Sequence, residues 1–127
     1  MRNDLVLVVD DEPDLRNLMA LLLGEWGYQV HTAQDGRQAL ADVAKQMPQL
    51  ILLDMKMPVM NGWEFAKTFH DTFGRRAAII IVVTAADDAA ARAREIGADG
   101  WLGKPFGLDE FQAVIQPYLN GILPHAA

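Results

Sequence analysis

Four short apolar runs in this chain each stop at a polar side chain capable of chemistry. Leu5–Val9 stops at Asp10-Asp11, Leu50–Leu53 at Asp54, Ile79–Val83 at Thr84, and Trp101–Gly103 at Lys104. Continuous apolar runs bounded by turn residues fit strands buried on both faces, the pattern of a parallel sheet covered by helices. In an open α/β sheet, ligands bind outside the carboxyl ends of the strands, near the point where strand order reverses. Three carboxylates, a hydroxyl and an ammonium are therefore expected to meet in one crevice.

Helical spacing fills the gaps between these runs, so the pattern is an α/β alternation of about five strands and five helices. Pro13 suits the first turn of a helix that turns Leu15, Leu18, Met19 and Leu22 inward and closes near Gly24 and Gly27. Tyr28 to Ala33 alternates apolar with polar residues, as a half-exposed edge strand does. Asp35-Gly36 opens a helix that buries Ala39, Leu40, Val43 and Met47, and Pro48 stops it. Asn61-Gly62 precedes a helix burying Phe65, Ala66, Phe69 and Phe73. An alanine-rich helix runs from about Asp87 to Ile96, with Gly97 as its cap. The last helix carries Phe111, Val114, Ile115, Tyr118 and Leu119 on one face. Pro117 falls inside that pattern and predicts a kink or an early end.

At 127 residues the chain is one domain, expected over residues 1–123 with 124–127 as a tail. No apolar stretch approaches the ~18 residues of a membrane span. The lack of cysteine rules out disulfide and thiol chemistry and makes the cytoplasm the expected compartment. A formal net charge of −6 argues against a nucleic-acid or anionic-membrane surface, and Arg75-Arg76, the one adjacent basic pair, reads as a solvated loop. His31, His70 and His125 are dispersed and read as surface residues. Met55, Met57 and Met60 read as packing for the loop after Asp54, and Trp26 and Trp63 as helix packing.

The loop Asp10-Asp11-Glu12-Pro13-Asp14 has none of the glycines that let backbone amides approach a pyrophosphate. Its carboxylates suit a hard cation such as Mg²⁺, or they form an acidic turn that caps the next helix. Asp54 is the candidate nucleophile, since a carboxylate can attack phosphorus to give an acyl phosphate. Phosphoryl transfer asks mainly for alignment and charge neutralisation. Lys104 can hold a phosphoryl oxygen as a point charge, or stand as an exposed lysine before a turn. Thr84 can donate its hydroxyl to another oxygen, or cap the helix that follows.

Taken in order, Asp10-Asp11, Asp54 with Met57-Pro58 and Asn61-Gly62, Thr84-Ala85, Gly97-Ala98-Asp99 and Lys104-Pro105-Phe106 resemble the receiver domain of two-component response regulators. The resemblance spans nearly the whole chain. It implies a flavodoxin-like (βα)5 three-layer sandwich with strand order 2-1-3-4-5. It also implies a signalling switch in which Asp54 takes a phosphoryl group from a sensor histidine kinase or phosphotransfer protein. In this picture Asp10, Asp11, Asp54 and the main-chain carbonyl of Lys56 hold Mg²⁺, Asp10 mainly through water. Thr84 and Lys104 bind the phosphoryl oxygens, and Lys104-Pro105 matches a bond that is usually cis in the family.

Trp101 stands where receivers usually carry a tyrosine or phenylalanine that swings inward as the threonine moves. Tryptophan departs from that pattern and leaves two readings, a switch residue or a buried structural one. Gly107 replaces an acidic helix cap. Lys56 and Ala86 fall where receivers set access for the hydrolytic water, and a long lysine there is expected to shield the acyl phosphate. The expected catalysis is confined to the chain's own phosphorylation and slow dephosphorylation.

Two other classes are weaker. An aspartyl phosphatase or phosphotransferase would pair its nucleophile with a second acid two residues on, and that position is Lys56. An interaction module that is never phosphorylated would not be expected to keep the complete set of polar residues. Partners and output are otherwise open, with a phosphorylation-dependent homodimer among the options. The start at Met1 and the short tail favour a stand-alone receiver over an excised piece.

Overall fold

The computed structural model describes residues 3–119. Five strands, β1 (Leu5–Val9), β2 (Gln29–Ala33), β3 (Leu50–Leu53), β4 (Ile79–Ala85) and β5 (Gly100–Lys104), form one parallel sheet in the order β2-β1-β3-β4-β5. Between and after them come α1 (Pro13–Glu25), α2 (Gly36–Lys45), α3 (Gly62–Phe73), α4 (Ala86–Ile96) and α5 (Leu108–Ile115). This is the expected doubly wound arrangement. The chain reverses direction across the sheet between β1 and β3, so their carboxyl ends flank the switch point.

β1 and β3 are buried at every position because helices cover both faces. Leu7, Val9, Ile51, Leu53, Ile80 and Val82 pack with Ala39, Val43, Phe65, Phe69 and Ala93 of α2, α3 and α4. Val6, Val8, Leu52, Ile81 and Val83 pack with Met19, Leu23, Phe111 and Ile115 of α1 and α5. β2 lies at an edge and is half-exposed, as its sequence predicts, although its exposure does not alternate strictly from residue to residue.

Helix ends follow local chemistry. Asp35 accepts from the Gln38 amide at 2.9 Å and caps α2. Asn61 and Glu64 form a reciprocal capping box on α3, a device that typically contributes about 1 kcal/mol. Gly97 ends α4 in the left-handed conformation at φ 68°. α5 stops at Ile115, and Gln116–Tyr118 tighten into a 3-10 turn where Pro117 removes a helical hydrogen bond.

Two expectations about packing need correction. Leu18 of α1 is exposed, and Leu23 takes the buried place; the stripe that faces the sheet runs through Leu15, Met19, Leu22 and Leu23. It continues to Trp26, whose ring lies 5.7 Å from Phe111. His31 and His70 are half-buried rather than surface residues, and His31 Nδ1 lies 3.0 Å from Asp42 Oδ2. The expected 124–127 tail, the domain limit at residue 123 and His125 lie outside the described residues.

Candidate phosphoryl-acceptor site

β1 and β3 run side by side in register from Val6 and Leu50 to Val9 and Leu53, so Asp10 and Asp54 emerge next to each other at the switch point. Both are buried, Asp10 completely and Asp54 at 4% exposure, whereas Asp11 faces solvent. One oxygen from each of Asp10, Asp11 and Asp54 lies within 4.8 Å of the others. The acidic-cap reading of Asp10-Asp11 fails: Glu12 is the residue before α1 and no side chain caps that helix. Asp10 Oδ1 instead accepts from the Glu12 amide at 2.9 Å, which turns the carboxylate into the crevice.

Lys104 arrives from the end of β5 and is only 18% exposed. Its Nζ stands 3.0 Å from Asp10 Oδ2, 3.5 Å from Glu12 Oε1 and 3.6 Å from Asp54 Oδ1. The Lys104–Pro105 bond is cis, as the resemblance implies. Thr84 is buried at 4% exposure on β4, and it does not cap α4, whose flanking residue is Ala85 without a side-chain cap. β5 passes so close to the start of α4 that a Cβ on Gly103 would fall 2.6 Å from the Ala86 Cα.

Burial chiefly, then the neighbouring Asp10 charge, pushes the Asp54 carboxyl from 3.8 up to about 7; Lys104 opposes this and Asp11 adds to it. Burial works against the Lys104 charge, but Asp10, Asp54 and Glu12 outweigh it and hold the ammonium above its ordinary value. Three clustered acids with one amine leave negative charge uncompensated. Asp10 Oδ2 is buried without a hydrogen bond, and its contact with the ammonium is an ion pair poorly aligned for one. Hard oxygen donors this close, one of them lacking a hydrogen bond, fit a divalent cation.

The sequence reading missed several supporting residues. Arg16 donates to the Asp10 carbonyl at 2.9 Å, and Glu12 reaches Lys104. Gly62 lies against Met55 and the Asp54 carbonyl so tightly that a Cβ there would fall 2.6 Å from Met55 Sδ and 2.8 Å from that oxygen. Gly62 at the head of a helix was the available signal for such an approach. Met55 and Met57 pack the loop from within, as expected. Lys56 projects outward, its Nζ 3.9 Å from Asp88 of α4. Trp101 is 48% exposed, which removes the buried structural reading.

Residues 6–116 match the response regulator receiver domain family. The chain belongs to that family. Among relatives, it is 36% identical over 119 residues to sporulation initiation phosphotransferase F of Bacillus subtilis, covering 94% of this chain and 96% of that one. It is 39% identical over 109 residues to the transcriptional regulatory protein KdpE of Mycobacterium tuberculosis, covering 86% of this chain but only 48% of that protein. The fold superposes on the chemotaxis response regulator CheY4 of Vibrio cholerae with a TM-score of 0.83 and 35% identity, over 93% of this chain and all of the other. It also matches the response regulator TrrA of Thermotoga maritima, solved in complex with Mg²⁺-BeF, at a TM-score of 0.79 and 32% identity over 91% of this chain and 99% of that one. This receiver is therefore a phosphoryl-accepting switch of two-component signalling, built around an acidic pocket of the kind in which receivers bind Mg²⁺.

Proposed function

We propose that Asp54 is the phosphoryl acceptor and that the donor is a phosphohistidine on a sensor kinase or phosphotransfer protein. An Asp54 oxygen attacks phosphorus; the O–P bond forms as the N–P bond breaks, and the released imidazole takes a proton from solvent. Asp10, Asp11, Asp54 and the Lys56 carbonyl hold Mg²⁺, which when bound neutralises charge on the transferring group. Lys104 binds one phosphoryl oxygen as a point charge and Thr84 donates its hydroxyl to another. Thr84 and the outward Trp101 then relay the event toward the surface formed by α4, β5 and α5. The chain acts in the cytoplasm, catalyses its own phosphorylation and slow dephosphorylation, and turns over no outside substrate.

The observation that carries this reading is the Lys104 ammonium 3.6 Å from Asp54 beside the adjacent carboxylates of Asp10 and Asp11, four groups from three distant places in the sequence. Acetyl phosphate with Mg²⁺ should label the protein with acid-labile phosphate, and Asp54→Asn should abolish the label. Undiminished labelling of that variant would defeat the assignment.

A further inference from the structure

A second polar cavity of about 450 Å³ opens between α3 and α4, and none of its lining residues belongs to the Asp54 site. Its walls include Trp63 and His70 of α3, Arg75 from the following loop, and Arg94, Ile96 and Gly97 at the end of α4. The volume falls in the range of small-molecule sites, roughly 300–1,000 Å³.

The charges here are unevenly satisfied. Asp71 is taken by Lys67 at 2.9 Å, and Glu95 by Arg92 at 3.1 Å and the Trp63 indole N–H at 2.8 Å. Arg75 and Arg94 have no carboxylate partner among the described residues, in a chain whose net charge is −6. Both cations complement the negative carboxyl end of α4, which explains how they rest there without a counter-ion but leaves most of their donors unused. The Arg75 side chain is exposed, and its guanidinium nitrogen lies against Gly97, where an added Cβ would fall 2.7 Å away. The Trp63 ring is also fixed, by its bond to Glu95 and by the Arg92 guanidinium 5.5 Å from its centre. Burial and the Arg75 charge lower the His70 pKa, while Asp99 and Asp71 pull the other way.

Two guanidinium groups without a carboxylate partner line one cleft beside a fixed aromatic ring, a donor set that suits a phosphate carried on a planar body. We propose that this cleft binds a small phosphomonoester with a heterocyclic body, of the nucleoside monophosphate class. Arg75 and Arg94 grip the phosphate and Trp63 flanks the ring. The site joins α3 to the end of α4, so occupancy would tie down a helix whose other end begins two residues after Thr84.

The test is a titration of the ¹⁵N-labelled protein with adenosine 5′-monophosphate in EDTA, followed by backbone and indole N–H shifts. Saturable shifts are expected at the Trp63 indole, Arg75 and Gly97, with a dissociation constant below about 1 mM. Binding should weaken about tenfold or more in the Arg75→Gln/Arg94→Gln variant and should weaken with added salt. Both side chains are exposed, so the variant keeps its fold, and dispersed amide spectra check this. Adenosine should leave these signals unmoved. No saturable shift up to about 10 mM, equal shifts in the double variant, equal binding of adenosine, or shifts confined to Asp54 and Lys104 would each overturn the proposal. The titration repeated on Asp54→Asn should be unchanged, so this inference and the acceptor assignment stand or fall separately.

Discussion

Lys104 Nζ lies 3.0 Å from Asp10 Oδ2, nearer than its 3.6 Å from Asp54 Oδ1. The lysine is thus engaged mainly with the Asp10 carboxylate, and a phosphoryl group on Asp54 would have to draw it across a short gap. Before phosphorylation it serves as the cation that lets buried acids coexist. Removing it leaves carboxylates facing one another with nothing between them. Lys104→Ala is expected to lower stability in EDTA by about 3–5 kcal/mol. The same variant should gain more than the parent on adding Mg²⁺, because a competing cation has gone. Thermal melts in EDTA and in Mg²⁺ measure both effects, and equal Mg²⁺ gains would contradict the competition.

Asp54 yields a pH prediction with a definite sign. Its folded-state pKa of about 7 lies above the ordinary 3.8, so the folded protein holds that proton more tightly than the unfolded chain does. Its contribution is fully stabilising below pH 3.8 and is lost as pH rises through about 7. Asp54→Asn should therefore melt higher than the parent at pH 8 in EDTA, by on the order of 1–2 kcal/mol, and the gap should close toward pH 5. Mg²⁺ should stabilise the parent at pH 8 and do little at pH 5, where the carboxyl carries its proton. A gap that widens on acidification would reverse the sign and sink the prediction.

Lys56 stands at the rim of the crevice, its ammonium 3.9 Å from Asp88 and its side chain 69% exposed. An exposed pair this long contributes little to stability, so it works as a loose tether and not as a brace. Shielding of the acyl phosphate by the four methylenes of Lys56, expected from its place two residues after Asp54, is what the variants test. Lys56→Ala should speed hydrolysis of the acyl phosphate several-fold at unchanged melting temperature, and Asp88→Ala should act in the same direction with a smaller effect. Loss of labelled phosphate over time measures the rate, and an unchanged or slower rate in Lys56→Ala rejects shielding.

What could be read from the sequence follows from how local each signal is. The strands announced themselves because a doubly covered sheet needs unbroken apolar runs, and the crevice followed from where those runs end. Leu18 was misplaced because α1 carries apolar residues nearly all round, including exposed Leu21. Spacing alone cannot choose a stripe there; the contact between Trp26 and Phe111 does. Trp101 was ambiguous because a tryptophan in place of the usual tyrosine or phenylalanine suits a switch or a core position equally well, and only its 48% exposure in the fold decides. Arg75 is the solvated loop residue that its sequence suggests, but nothing local points its guanidinium at Gly97, 22 positions later in the chain.

Val59 is the residue whose own preference opposes the structure most directly. It sits at φ 68° and 72% exposed in the loop after Asp54, in a conformation that β-branched side chains avoid. The loop holds it there from both sides. The Gly36 amide donates to the Met60 carbonyl at 2.9 Å, and the Gly62 amide to that of Met55 at 2.8 Å. Such strain persists only where surrounding contacts over-determine the backbone. Asparagine tolerates the left-handed region, so Val59→Asn should stabilise the protein by about 1 kcal/mol without altering the rate of Asp54 labelling. Gly62→Ala should do the opposite. Its methyl group would meet Met55 and the Asp54 carbonyl at under 3 Å. The expected cost is about 2 kcal/mol or more, with slower labelling as the acceptor strand end shifts. Chemical denaturation of the two variants beside acetyl phosphate labelling separates the cases. A Val59→Asn variant less stable than the parent would mean that the loop gains more from the valine side chain than its backbone loses.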